Sequence, residues 1–216
     1  MDEEQDTYVV LRWTAESPVF VSGEPNDFIY ETDGDLLAVN EADDRSLVGK
    51  FRLYYVDIER AINNGMPIFD VFDSYAQTVD YYDALFGANS SEFSDSLMNI
   101  LKHDVFDSNV LILDRLEILP KYRGRGLGLS VMQHLIERFA GGTAVIATKP
   151  FPLQLEPDPS SEDGKKWRAD LGLSTLSKNE QKATEKLRDY YSRLGFVSMR
   201  GTPFMVRASA WVMPSD

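Results

Sequence analysis

Between residues 110 and 148 the apolar pattern changes period twice. Residues 110–118, Val-Leu-Ile-Leu-Asp-Arg-Leu-Glu-Ile, are apolar and β-prone and predict a buried strand. From Leu127 the spacing becomes helical: Leu127, Val131 and Leu135 recur every four residues, and Leu129, Met132, Ile136 and Phe139 fill the adjoining stripe. That is the period of a helix packed on a sheet. Residues 143–148, after Gly141 and Gly142, form a short β run. A strand, a helix and a second strand in that order imply a right-handed crossover and parallel neighbours.

The flanking sequence is read the same way. Residues 7–13 predict a first strand, and the alternating, aromatic-rich 47–58 another. Residues 14–46, rich in acids, Gly and Pro, read as a hairpin or irregular excursion. Apolar spacing is helical over 69–86 and again over 92–102, with Gly87-Ala88-Asn89-Ser90 between. Residues 156–166 are polar and turn-rich, an insertion. Ser177-Lys178-Asn179-Glu180 is a capping box that predicts a helix start. Ala183, Leu187, Tyr190, Tyr191 and Leu194 give that helix one buried face, with Gly195 suited to its end. Residues 196–199 and 204–212 supply closing strands. There is no internal repeat.

Composition narrows the chemistry. The 22 basic and 35 acidic side chains give a net charge of −13, so the surface as a whole repels nucleic acid and anionic membranes. With no cysteine there is no disulfide, thiolate nucleophile or cysteine zinc site. His103 and His134, the only two histidines, are too few for a histidine metal site, and no metal is expected. The acidic first residues carry no apolar leader and no run approaches about 18 apolar residues, which leads to the expectation of a soluble, cytoplasmic protein.

The segment between the first strand and the helix, Pro120-Lys121-Tyr122-Arg123-Gly124-Arg125-Gly126-Leu127-Gly128, has the makings of a phosphate cradle. Glycines let a ligand approach the backbone, free amides at a helix start favour an anion, and three cations stand beside them. The spelling GxGxG is not the dinucleotide GxGxxG, and no P-loop occurs. A lone RGRG tract also suits RNA, although the flanking strand and helix and the acidic balance speak against that.

What fits is Arg-x-x-Gly-x-Gly, as Arg123, Gly126 and Gly128, directly after a Leu-x-Ile strand end and Pro120. Here the chain resembles the GNAT superfamily of acyl-CoA-dependent N-acyltransferases, in which this loop binds the pyrophosphate of acetyl-CoA. A second match is Tyr191-Ser192-Arg193-Leu194-Gly195-Phe196, like the Tyr-x-x-x-Gly-Phe ending of the family's last helix. The resemblance is specific over roughly residues 108–200. It implies an α/β (α+β) fold, with a mixed, mostly antiparallel sheet, a splayed parallel strand pair and flanking helices. Residues 1–216 would form one such domain, elaborated at about 14–46 and carrying an insertion at about 149–178. Two features depart from the family: Lys186 stands where a small polar residue is common, and the insertion is long.

The implied reaction moves an acetyl group from acetyl-CoA to a primary amine by direct attack in a ternary complex; no cysteine exists to hold an acyl-enzyme. Arg123, Gly124, Arg125, Gly126, Leu127 and Gly128 would hold the diphosphate, and the backbones of Leu116 and Ile118 the pantetheine arm. Tyr191 would protonate the leaving thiolate, an ordinary phenol near pKa 10 standing close to a thiol near 8.5. Glu117 is the candidate base, with Asp114, Asp70 and Asp73 as rivals, or water alone. Asp70, Asp73 and Tyr75 would line the acceptor side, where carboxylates and phenols suit a cationic amine. Residues 149–154 form a proline-stiffened wall and the polar stretch after them a lid. The expected partner is a small-molecule or peptide amine, with no nucleic acid and no membrane. Two other readings stay open: a non-catalytic CoA-binding or interaction module on the same fold, and an RNA-binding module using residues 121–125.

Overall fold

In the computed structural model, residues 8–16, 19–20, 22–87, 90–102 and 107–211 are described. A seven-stranded sheet forms the centre, and its order along the sheet is β1-β2-β3-β4-β5-β7-β6. The strands are β1 (Tyr8–Trp13), β2 (Ile29–Val39), β3 (Arg45–Val56), β4 (Asn109–Ile118), β5 (Thr143–Thr148), β6 (Val197–Ser198) and β7 (Met205–Ala208). Every pairing is antiparallel except β4 with β5. The mixed, mostly antiparallel sheet with one parallel pair and flanking helices is therefore present.

Both faces of the sheet are covered. On one lie α1 (Ile58–Asn63), α2 (Ile68–Phe72), α3 (Val79–Leu85) and α4 (Asp95–Leu101), whose Phe72, Tyr81, Leu85 and Leu97 pack with Tyr54, Val56, Ile112 and Ala147 of the strands. On the other lie α5 (Leu127–Phe139) and α7 (Glu180–Ser192), against Leu53, Leu111, Leu113 and Ile146. Alternation along β4 produces the division: Val110 and Ile112 face one core, Leu111 and Leu113 the other. From α5, Val131, Met132, Leu135 and Ile136 are buried, each contributing about 1.5–3 kcal/mol by leaving water.

The expected strands and helices from 110 to 148 stand where the pattern puts them, and several others shift. The excursion expected over 14–46 holds the eleven-residue β2, whose acid-rich start Ile-Tyr-Glu-Thr-Asp-Gly-Asp disguises a strand paired on both edges. The helical spacing of 69–86 resolves into α2 and α3, broken around Thr78, whose hydroxyl donates to the Phe72 and Tyr75 carbonyls. Asn179, not Ser177, caps α7 by accepting from the Lys182 amide. The insertion, expected to be polar and turn-rich, contains α6 (Glu162–Asp170), capped by Ser161. The closing strands are short, and residue 212 lies outside the described residues, as does His103.

Candidate functional site

Where β4 and β5 part, the fold makes a fork. Their parallel pairing runs from Asn109 with Thr143 to Leu113 with Thr148 and stops. The Thr148 hydroxyl donates to the Leu113 carbonyl at 2.9 Å and closes the last rung. Beyond it β4 continues to Ile118, paired only with β3. At the same point β4 bulges: Arg52 pairs with Arg115 and Leu53 with Leu113, so Asp114 is the extra residue. A bulge beside the end of a ladder re-aims a side chain, and Asp114 lines a cavity at the apex of the fork with Tyr191, Thr148, Arg52 and Arg115. Its volume is about 20 Å³, room for a single water.

The titratable groups at this apex are shifted by their surroundings. Burial pushes the Asp114 carboxyl above its usual range, while Arg115 and Arg52 pull it partly back. The Tyr191 phenol is pushed up to about 12, first by burial and then by Tyr190. Tyr81, fully packed on α3, is raised well above an ordinary phenol by burial, then by Asp114 and Tyr191, and the backbone at Lys149 opposes this. Asp114, Tyr191 and Tyr81 thus form one cluster, assembled from a strand, the last helix and the opposite helical layer.

The cradle lies at the far end of β4. Residues Pro120–Tyr122 make a 3₁₀ turn, and Gly124 and Gly126 then adopt left-handed φ values of 78° and 82°. A Cβ at either would meet nothing within 4 Å, so it is backbone conformation, not crowding, that calls for glycine there. Gly126 caps α5 without a side-chain hydrogen bond, which leaves the first-turn amides of Leu127 and Gly128 uncapped by side chains. Gly128 differs: a Cβ there would overlap the Tyr190 hydroxyl.

Several expected site residues are engaged with the protein itself. Arg123 donates through Nε to the Ile118 carbonyl at 2.7 Å and through Nη2 to the Leu171 carbonyl at 2.8 Å. Its guanidinium is tied to the loop's own frame, and burial lowers its pKa. Arg125 is exposed between the two left-handed glycines. Leu116 and Ile118 pack their side chains toward α5. Because Leu119 donates to Val48 across the β3 ladder, the alternation of an antiparallel pair turns the Ile118 carbonyl to the other edge, which is where Arg123 meets it.

Glu117 is 7% exposed and fully engaged: it accepts from Arg115 Nη1 at 2.9 Å and from Trp167 Nε1 at 2.6 Å. The insertion fastens to this outer half of β4 and to the cradle loop at three points. Glu156 accepts from Arg115 at 2.6 Å, Trp167 binds Glu117, and the Leu171 carbonyl takes Arg123. Lys50, the register partner of Glu117, holds its ammonium 4.7 Å from the Trp167 ring centre. By strand alternation Arg115 and Glu117 face away from α5, so residues 156–171 form a strap across the sheet face opposite the cradle helix.

Of the acceptor candidates, Asp70 and Asp73 are exposed on and just after α2 and are not among the residues lining the fork cavity. Tyr75 leans on Tyr54, ring centres 5.0 Å apart, with Glu31 close enough to raise its pKa after burial does. The Asp114 bulge, the contact of Tyr190 with Gly128 and Trp167 are the features that sequence reading did not single out. Trp167 carried a signal, being the one aromatic ring in residues 156–171, which has to pack somewhere. The bulge carried none. Among the described residues no group of side chains could hold a metal ion, and no helix is long and apolar enough to cross a membrane.

No protein-family model matches the chain, and no curated protein matches it. It is similar to solved structures at low identity. The crystal structure of a KacTA–DNA complex aligns with a TM-score of 0.43 and 11% identity, covering 94% of this chain and 94% of that one. A crystal structure of a tyrosine-to-phenylalanine mutant of KacT aligns with a TM-score of 0.45 and 12% identity, covering 93% and 95%. One expectation is corrected here. Nucleic acid was excluded as a partner on overall charge, yet one of these similar structures is a complex with DNA. Net charge sums a whole surface and does not rule on a local patch or on what an assembly contacts, so the exclusion is withdrawn.

Proposed function

We propose that the protein is an acyl-CoA-dependent N-acyltransferase that moves an acetyl group from acetyl-CoA to a primary amine within a ternary complex. The observation that carries this reading is the fork: two parallel strands part at Leu113 and Thr148, with a desolvated carboxyl and a protonated phenol at the apex. The uncapped start of α5 sits one half-strand away.

The donor fits one end better than the other. The open space over Gly124 and Gly126 suits a diphosphate meeting main-chain amides, and Arg125 adds charge beside them. At the fork the present cavity is far smaller than a pantetheine arm, so the donor enters by widening it. In the reaction the neutral amine attacks the thioester carbonyl carbon and the C–S bond breaks. Tyr191 gives its phenolic proton to the departing sulfur. Asp114 takes the proton that the new amide nitrogen sheds, and its raised pKa makes it the stronger base than an ordinary carboxylate. Asp114 replaces Glu117 in this role because both Glu117 oxygens already receive donors. Tyr75 and Glu31 then border the acceptor's approach.

Calorimetric titration with acetyl-CoA and with coenzyme A tests the donor, followed by transfer assays on a panel of amines. No binding at about millimolar ligand, roughly −4 kcal/mol, would remove the proposal. The small fork cavity favours one other reading, a non-catalytic coenzyme-binding or interaction module on the same fold. Binding without transfer to any amine selects it.

A further inference from the structure

The third glycine of the motif is glycine for a reason unlike that of the other two. Gly128 lies one residue inside α5, is buried, and has an ordinary helical backbone. Its missing side chain makes room for the hydroxyl of Tyr190, which reaches across from α7. Burial raises the Tyr190 phenol's pKa and the nearby Leu129 amide opposes this; that amide donates to the Gly126 carbonyl at 3.0 Å. The end of one tyrosine is therefore seated on the first turn of the cradle helix.

Tyr190 is adjacent to Tyr191, their ring centres 6.0 Å apart. Successive helical residues project about 100° apart, from 3.6 residues per turn, so one ring meets α5 while the other meets the fork. No residue of α7 is fully buried, and the helix meets the sheet only through half-buried side chains. Leu194 and Phe196, buried just after it, fix its end, and along its length few contacts set its rotation. We infer that Tyr190, seated over Gly128, is the positioning residue that fixes Tyr191 at the fork relative to the coenzyme cradle. The inference rests on the acyltransferase reading for its kinetic consequence, but not for the contact itself.

The contact is tested by a double-mutant cycle on stability. In Gly128→Ala the new methyl overlaps the Tyr190 hydroxyl. In Gly128→Ala/Tyr190→Phe the nearest atoms would be Ile118 Cδ1 and Tyr190 Cζ, both at 3.4 Å, an ordinary contact. The single alanine variant should lose about 3 °C or more in melting temperature, and the double variant should melt within about 1 °C of Tyr190→Phe alone. If Gly128→Ala costs as much in the phenylalanine background as in the natural one, the contact is overturned.

The positioning role is tested by kinetics on Tyr190→Phe, which keeps the ring and the fold. Turnover should fall about tenfold, since a misplacement of about 1 Å costs up to a hundredfold, while the Kd for coenzyme A stays within about twofold. Unchanged turnover would sink the role, as would a weakened Kd with turnover intact. Wild-type protein that binds no coenzyme A would bring down the acyltransferase reading instead, and the stability cycle would still decide the contact.

Discussion

A phenol pushed up to about 12 keeps its proton at every pH where the chain would work, so Tyr191 is poised to donate and not to accept. Replacement by phenylalanine removes that proton and little else, because Tyr191 has no side-chain hydrogen bond among the described residues. We expect Tyr191→Phe to lower kcat by about 10²-fold, within the range for one general acid, with coenzyme A affinity nearly unchanged. The opposite split would make it a binding or packing residue. Asp114 sets the other limb. Its raised carboxyl must lose its proton to act as a base, so kcat should fall as pH drops through that raised pKa, and Asp114→Asn should be nearly inactive at all pH values. Stability runs the other way. The folded carboxyl binds its proton more tightly than the unfolded one, so the cost to the fold sets in as pH rises through the unfolded carboxyl's range, about pH 4, and is complete above the raised pKa. Above the raised pKa Asp114→Asn should melt higher than the natural protein, with the gain vanishing below the unfolded carboxyl's range, about pH 4. A variant that is inactive and nowhere more stable between about pH 4 and about pH 9 would show that Asp114 is not desolvated.

The strap is the element whose role the geometry makes most testable. Its three attachments to β4 and the cradle loop are hydrogen bonds at its inner face, while most of α6 is exposed. A charge-assisted hydrogen bond to a buried carboxylate is worth about 1.5–3 kcal/mol, and Trp167→Phe deletes one while keeping most of the ring. Amide hydrogen exchange over residues 156–171 should quicken by about tenfold to a hundredfold, the same energy expressed as a local opening, with β4 and β5 unaffected. In the transfer assay the KM of the amine should rise while that of acetyl-CoA holds, because the strap crosses the face away from α5. Equal exchange in both proteins would mean the strap is held by its backbone packing alone. How far such elements can be read in advance depends on how local their causes are. β4, α5 and β5 are fixed by periods within a few residues, and 110–148 is legible for that reason. β2 has an apolar end, Leu36 to Val39, but its acid-rich first half is held by pairing on both edges and hid how far the strand runs. The Asp114 bulge is a mismatch of register between two strands some sixty residues apart, and no property of Asp114 announces it. The Tyr190 seat is likewise invisible until α5 and α7 are side by side, although both its partners lie inside motifs that the sequence displays.

At the scale of the molecule, the candidate site is a joint between layers. β4 supplies Asp114, α7 supplies Tyr191, α3 supplies Tyr81, and α5 supplies the amides. No single core joins them all: α3 belongs to one and α5 and α7 to the other, with the sheet between them. A donor lying along the fork would bridge the start of α5, the outer half of β4 and the last helix at once, and would bind only the assembled chain. Ligand that binds the folded and not the unfolded state stabilises by mass action, about 2.7 kcal/mol at a hundredfold excess over Kd. For a chain of 216 residues, where each kcal/mol moves the midpoint by about 2–4 °C, that predicts a rise in Tm of about 5–10 °C at saturating coenzyme A. The rise should be kept in Tyr191→Phe, whose phenol acts on the sulfur only during reaction. It should shrink in a variant with Gly124 and Gly126 both changed to alanine, because left-handed backbone there presents the amides and alanine resists it. A full shift in the glycine variant, measured against its own ligand-free midpoint, would place the diphosphate elsewhere and detach the cradle from the fork.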